Sequence, residues 1–266
     1  MKKLLGWTVA SVFLLGMVFL TIPDIYRRRL INVLLRADVT TRRRTETHWQ
    51  LLWARFYHHL ILRIANIQMP IRILHEIPPG PYILIANHRT ALDGLIMAVV
   101  AKRLGVDDLL WIVKEGMRSA PVVGGSLERA GHAFVTRAND PGDKQRVRQM
   151  TERAKQDGAS LSIFPEGTRY TGSQEERENY RHLRDPKRGG LQTFMDGCPD
   201  HPIIFVCMGW RGLQGGKTIW DGDGLLGLRG QVTVWHIKLV PGDNAESVLD
   251  EGWTRMDSIL ERSDSS

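Results

Sequence analysis

Tyr82-Ile83-Leu84-Ile85-Ala86-Asn87-His88-Arg89-Thr90-Ala91-Leu92-Asp93 is the stretch on which the fold turns. Tyr82 to Ala86 is apolar without the polar alternation of a half-wet strand, so it reads as a strand buried on both faces. Leu95 to Leu104 then reads as a helix. His88 stands in the turn between them, with a carboxylate five residues on. An imidazole can take a proton near neutral pH, and a carboxylate can fix its tautomer and stabilise its charged form. Five residues is about 500° of helix rotation, so the pair closes only if His88 lies in the turn and Asp93 in the first helical turn. Alone, the pair also fits a loop histidine beside a carboxylate that favours a helix start.

A second segment repeats the arrangement. Leu161 to Phe164 is apolar and delivers Phe164-Pro165-Glu166-Gly167-Thr168-Arg169 at a strand exit. Turn N–H groups and a guanidinium fork there suit the oxygens of a phosphate. His132 to Thr136 reads as a strand ending at Arg137, and Leu109 to Val113 as one ending at Lys114, a lesser candidate for the same pocket.

Further out, Ile71 to Glu76, Pro202 to Met208 and Gln231 to Leu239 supply more strands, and Pro78-Pro79-Gly80-Pro81 is a turn. Gly124-Gly125 breaks the stretch before His132. Lys144 to Gln156 is a polar-rich helix closed by Gly158, and Leu249, Trp253, Met256 and Leu260 mark a closing amphipathic helix. Strands alternating with helices predict an α/β fold, a mostly covered mixed sheet with flanking helices. Tyr170 to Arg188 is the one long polar connection, and its alternating charges suit a solvated loop or a lid over an acceptor.

Charge divides the chain. Residues 1–75 hold 12 Lys and Arg against 3 Asp and Glu, and the remainder holds 24 against 26. A basic segment beside a near-neutral globule points to an anionic surface, membrane or nucleic acid. Leu4 to Ile22 is 19 residues without a charge, just enough to span a bilayer core of about 30 Å. A signal peptide is the competing reading, but no small-x-small cleavage site precedes Pro23, which favours a retained anchor. Arg27 to Arg29, Arg36 and Arg42 to Arg44 outnumber Lys2 and Lys3, so the globule is expected on the cytoplasmic side. Trp49, Leu52, Trp53, Phe56, Leu60, Ile64 and Ile67 form a helical stripe within His48–Ile67. That stripe fits a helix packed on the core or one lying in the membrane interface; two tryptophans and flanking arginines favour the second. The expected division is 1–69, membrane anchor and interfacial helices, and 70–266, the globular domain. Cys198 and Cys207 alone make no disulfide framework and fit a reducing compartment.

Together, Asn87 to Asp93 and Phe164 to Arg169 resemble the glycerolipid acyltransferase family, whose members acylate glycerol phosphate and lysophospholipids. Its first motif is His, four residues, Asp; its third is Phe-Pro-Glu-Gly-Thr-Arg; both stand here in order. Gly131, Phe134 and Arg137 resemble the second motif. His201-Pro202-Ile203-Ile204-Phe205-Val206 matches the start of the fourth, with Phe205 where a second proline is often found. The resemblance covers roughly residues 70–210. It implies His88 and Asp93 as the catalytic pair. It also implies an acceptor-phosphate site built from Arg137, Glu166, Gly167, Thr168 and Arg169, which Lys114 would join.

The resemblance further implies transfer from an acyl thioester, coenzyme A or acyl carrier protein as co-substrate, to a lysophospholipid. Lysophosphatidic acid is the first expectation, at a membrane whose phospholipids are partners, with no cofactor of the enzyme's own. Another lysolipid acceptor, or a non-catalytic lipid-binding protein, are the alternatives; a binder would need neither His88 nor Asp93. Gly124 to Glu128 lacks the last glycine of a nucleophile elbow, and Arg211 stands where a phosphate loop ending at Lys217-Thr218 needs glycine. Histidine and cysteine spacings suggest no metal site, and no nucleic-acid module is recognisable.

Overall fold

The computed structural model describes residues 8, 11, 15–121, 123–136, 140–171, 173, 178–211, 213 and 226–264. Its centre is β2 (Ile83–Ala86), all four residues buried. The other strands are β1 (Ile71–Ile73), β3 (Leu109–Lys114), β4 (Ala133–Val135), β5 (Ser160–Ile163), β6 (Ile203–Arg211) and β7 (Arg229–Ile237). Their order is β1-β7-β6-β2-β5-β3-β4. β7 is antiparallel to β6 and parallel to β1, while β6, β2, β5, β3 and β4 run one way. The sheet is mixed, as expected. Both faces are covered, which is why the β2 sequence shows no polar alternation.

The helices are α1 (Ile22–Leu34), α2 (Val39–Ile64), α3 (Asp93–Arg103), α4 (Val123–Ala130), α5 (Pro141–Asp157), α6 (Arg188–Gly197) and α7 (Ala245–Asp264). Leu84 and Ala86 point to one core layer, with Leu51, Tyr57 and Ile61 of α2 and Ile96, Met97 and Val100 of α3. Ile83 and Ile85 point to the other, with Val147 and Met150 of α5, Leu191 and Phe194 of α6, and Leu249, Trp253 and Met256 of α7. Two layers of helix sandwich the sheet. The carboxyl ends of β2, β5 and β3 therefore open on one edge, where α/β sheets place their ligands.

The N-terminal segment departs from expectation. Pro23 does not stop the chain; it lies in the first turn of α1, where a missing N–H costs nothing. Arg27 to Arg29 therefore sit on a helix and not in a link. Asp24 accepts from Arg27 (2.7 Å), Arg28 (2.9 Å) and the indole N–H of Trp53 (3.0 Å), which seats α1 on α2. α2 starts nine residues before His48, at an Asp38 cap that accepts the Thr41 N–H. Its buried face is Glu46, Thr47, Leu51, Tyr57, His58 and Ile61; of the tryptophan stripe, Trp49, Leu52, Trp53, Leu60 and Ile64 are half-buried, Phe56 is exposed and Ile67 is buried. The helix read as interfacial thus shares the domain's core. Most of Leu4–Ile22 falls outside the described residues, and among those described no helix is long and apolar enough to cross a membrane. The transmembrane reading finds no support there.

Two helices run against the sequence reading. Gly124-Gly125 lie inside α4 instead of breaking it, because a Cβ on Gly124 would stand 2.1 Å from the Arg118 carbonyl oxygen. Glycine here permits a close backbone approach, and that outweighs its poor helix propensity. α6 follows directly on the polar connection.

Candidate active site

β2 ends at Ala86, and the next residue anchors the turn that carries His88. Asn87 is fully buried and bonds the β6 backbone with both ends of its amide: Nδ2 donates to the Met208 carbonyl (3.1 Å) and Oδ1 accepts the Met208 N–H (2.7 Å). The chain then turns, and Asp93 opens α3. His88 Nδ1 lies 2.7 Å from Asp93 Oδ2, so the geometry required by the five-residue spacing is met. The same oxygen accepts the N–H groups of Arg89 (2.6 Å) and Thr90 (2.8 Å), and Oδ1 accepts the Thr90 hydroxyl (2.7 Å). An oxygen receiving that many donors acts as an acceptor only, so His88 donates to it through Nδ1, and in the neutral imidazole Nε2 is then the acceptor. Asp93 is wholly buried, whereas the His88 side chain is 24% exposed. The ring stacks on Phe164 (4.6 Å between centroids), which stacks in turn on Trp111.

The Phe164–Arg169 turn leaves β5 beside this loop. Glu166, expected to help shape an acceptor site, faces inward. It is 2% exposed, with Oε1 accepting the His88 N–H (2.6 Å) and Oε2 the Arg184 N–H (3.2 Å). Burial pushes its carboxyl up to about 8, against the pull of those two N–H groups. It acts by holding the backbone of the His88 loop. Gly167 has φ +72°, and the Lys187 side chain lies 3.4 Å from where its Cβ would be. Thr168 is exposed. Arg169 is half-buried, with Nη1 buried and without a partner among the described residues, a donor suited to an anion. Tyr170 donates its N–H to the His88 carbonyl (2.8 Å), which ties the chain beside Arg169 to the His88 loop.

Lys114 is exposed at the end of β3. Since Trp111 pairs with Ser162, it emerges level with Pro165. Arg137 lies outside the described residues. Phe205, in the fourth motif, is buried against Trp235 and Trp253 in the core layer opposite Leu84 and Ala86. Sequence alone does not single out Arg89; it is 5% exposed, lies over the Tyr170 ring (5.6 Å), and leaves Nε and Nη1 unpartnered. Nor does sequence give Asn87 a role. Both follow a strand end, but only their burial distinguishes them. The near-miss Ser126 donates to Glu46 in a buried network, and burial raises the Cys198 and Cys207 thiols, leaving all three unsuited to nucleophilic work.

Strands here bring a partly exposed histidine, a buried carboxylate bonded to it and an arginine with a free donor to one edge, an arrangement that can serve as a general base toward a hydroxyl. The family model described as Acyltransferase matches residues 68–208, and the chain belongs to the acyltransferase family. The 1-acyl-sn-glycerol-3-phosphate acyltransferase of Saccharomyces cerevisiae is 24% identical over 120 residues, 45% of this chain and 38% of the yeast protein. The chain thus matches well under half of the yeast relative's length. The 1-acyl-sn-glycerophosphate (LPA) acyltransferase PlsC from Thermotoga maritima is 15% identical, with a TM-score of 0.63 over 98% of this chain and 96% of its own. That likeness is one of fold.

Proposed function

We propose that the protein moves a fatty acyl group from a thioester, coenzyme A or acyl carrier protein, to the free hydroxyl of a lysophospholipid, lysophosphatidic acid first. The observation that carries this reading is the His88–Asp93 contact at 2.7 Å with the imidazole partly open to solvent. His88 Nε2 takes the acceptor's hydroxyl proton as the oxygen attacks the thioester carbonyl. The C–S bond breaks, the thiolate receives the proton, and an ester and a free thiol leave. Asp93 stabilises the transient imidazolium. Arg169 and Arg137 hold the acceptor's phosphate, with Lys114 close by, and Gly167 and Thr168 form the turn that presents Arg169. Thioesters are already activated, so positioning and base catalysis suffice and no acyl-enzyme is needed.

The N-terminal segment seats the enzyme on the membrane. Phe19, Tyr26, Leu30, Val33, Leu34 and Leu35 are exposed beside Arg27 and Arg29, a combination that favours an anionic bilayer surface. The domain then faces the cytoplasmic leaflet, whose anionic lipids attract those arginines.

Thiol release by purified protein, measured across lysolipids with and without a phosphate, tests the reading. Turnover with lysophosphatidic acid above all others is expected. Preference for an unphosphorylated acceptor would overturn the acceptor assignment, and no transfer to any lysolipid would overturn the activity.

A further inference from the structure

The connection Tyr170–Arg188 looks in sequence like a solvated loop, yet Leu183 within it is fully buried and side chains hold its backbone at several points. Asp257 of α7 accepts the N–H groups of Arg181 (3.2 Å) and His182 (2.7 Å). Trp253 of α7 donates its indole N–H to the Arg184 carbonyl (2.9 Å). On its other side the same strap meets the catalytic loop twice. The Arg184 N–H reaches Glu166, whose other oxygen holds the His88 N–H. The Arg181 carbonyl accepts the Tyr170 hydroxyl (2.8 Å), and the Tyr170 N–H holds the His88 carbonyl. Both backbone polar groups of His88 are therefore tied, through one residue each, to Arg181–Arg184. That strap hangs from α7.

The position of α7 is itself set firmly. A Cβ on Gly252 would lie 2.1 Å from the Phe205 ring, so only glycine lets the helix sit this close to β6. Trp253, next in sequence, is fully buried and Asp257 lies about one turn further on. Neither residue lies in the segment 68–208 that carries the family match.

We propose that Asp257 and Trp253 are positioning residues for catalysis: α7 sets the orientation of His88 through the Arg181–Arg184 strap. The strap is a fixed backing to the base and not a lid. It acts on the transition state through His88 alone, so its loss lowers kcat and leaves substrate binding in place. This rests on the reading of His88 as the base.

The test uses the full chain with Asp257→Ala, Asp257→Asn and Trp253→Phe. Phenylalanine keeps an aromatic ring in the core while removing the donor. Two readouts are compared with wild type: amide hydrogen exchange of residues 87–92 against that of β7, and steady-state kinetics with an acyl thioester and lysophosphatidic acid. Exchange at 87–92 should quicken on the order of tenfold in Asp257→Ala and in Trp253→Phe, the weight of about one hydrogen bond, with β7 unchanged. The kcat should fall by a similar factor while both KM values stay within about twofold. Asp257→Asn, which keeps one acceptor oxygen, should fall between. Unchanged exchange at 87–92, quickened exchange with full kcat, or a loss confined to KM would each overturn the proposal. Exchange is read without turnover, so a protein that transferred no acyl group would sink the functional reading while the positioning result still stood on its own.

Discussion

Asp93→Asn isolates charge from shape. Oδ2 receives His88 Nδ1 and two backbone N–H groups, and Oδ1 receives only the Thr90 hydroxyl. An asparagine oxygen placed at Oδ2 keeps all three of those bonds. Its Nδ2 then donates to Thr90 Oγ1, whose hydroxyl turns away, so the loop retains its form. What disappears is the negative charge facing an imidazolium. At a centre separation of about 4 Å and an effective dielectric of about 20, that attraction is worth about 4 kcal/mol. The remaining neutral hydrogen bond returns about 1 kcal/mol of it. A net loss of about 2–3 kcal/mol lowers kcat about 30- to 150-fold. Thiol release at saturating substrates measures this, with a thermal melt beside it. The melt should scarcely move for Asp93→Asn. It should fall for Asp93→Ala, which strands the Arg89 and Thr90 N–H groups in the interior. An Asp93→Asn enzyme retaining more than about a third of wild-type kcat would refute electrostatic assistance at the base.

Arg169→Ala should cost on the order of 2–5 kcal/mol in kcat/KM for a phosphorylated acceptor and little for a monoacylglycerol, with lysine rescuing only in part. Equal losses on both acceptors would make the arginine structural. Replacing Cys198 and Cys207 together by alanine should leave turnover within about twofold, the spread of ordinary assays, because neither thiol is suited to attack. A labelled acyl group trapped on the protein from donor alone would overturn direct transfer. Gly124→Ala should destabilise by about 1–3 kcal/mol in denaturant titration, since its Cβ meets backbone that cannot rotate away; an unmoved midpoint would contradict that contact. His132 accepts the Trp111 N–H at Nδ1, and burial, then the charge of Arg153, lowers its pKa to about 3. Its folded value lies below the unfolded one, so the stability it confers is present above about pH 6.5 and is lost as pH falls toward 3, by about 5 kcal/mol in all. His132→Gln should remove that part of the acid sensitivity, and an identical pH–stability curve would refute it.

What could be read from the chain was whatever depends on neighbours in sequence. The β2 strand was legible because burial on both faces leaves an unbroken apolar run. His88 and Asp93 were legible because a turn followed by a helix start is the only local geometry that closes their spacing. The inward face of Glu166 was not legible. It depends on β5 lying next to β2 and on a backbone N–H eighteen residues further on. Asn87 is the same case, since its partner Met208 lies on β6, far away in sequence. The start of α2 was hidden because Thr40 to Thr47 carries no apolar stripe, and only the Asp38 cap announces it. α4 was hidden because a glycine pair signals a break unless something approaches closely, and what approaches is not visible in sequence.

The face-to-face stack of His88 on Phe164 gives this imidazole its own spectroscopic address. The phenyl ring current shields protons held above its plane, so the carbon-bound protons of the His88 imidazole resonate upfield of their usual positions. His48 on Trp49 and His58 on His59, by contrast, meet edge to face. Two displaced lines in a proton spectrum therefore report the protonation of this one imidazole in the intact protein, and they shift when a bound molecule tilts the ring from its neighbour.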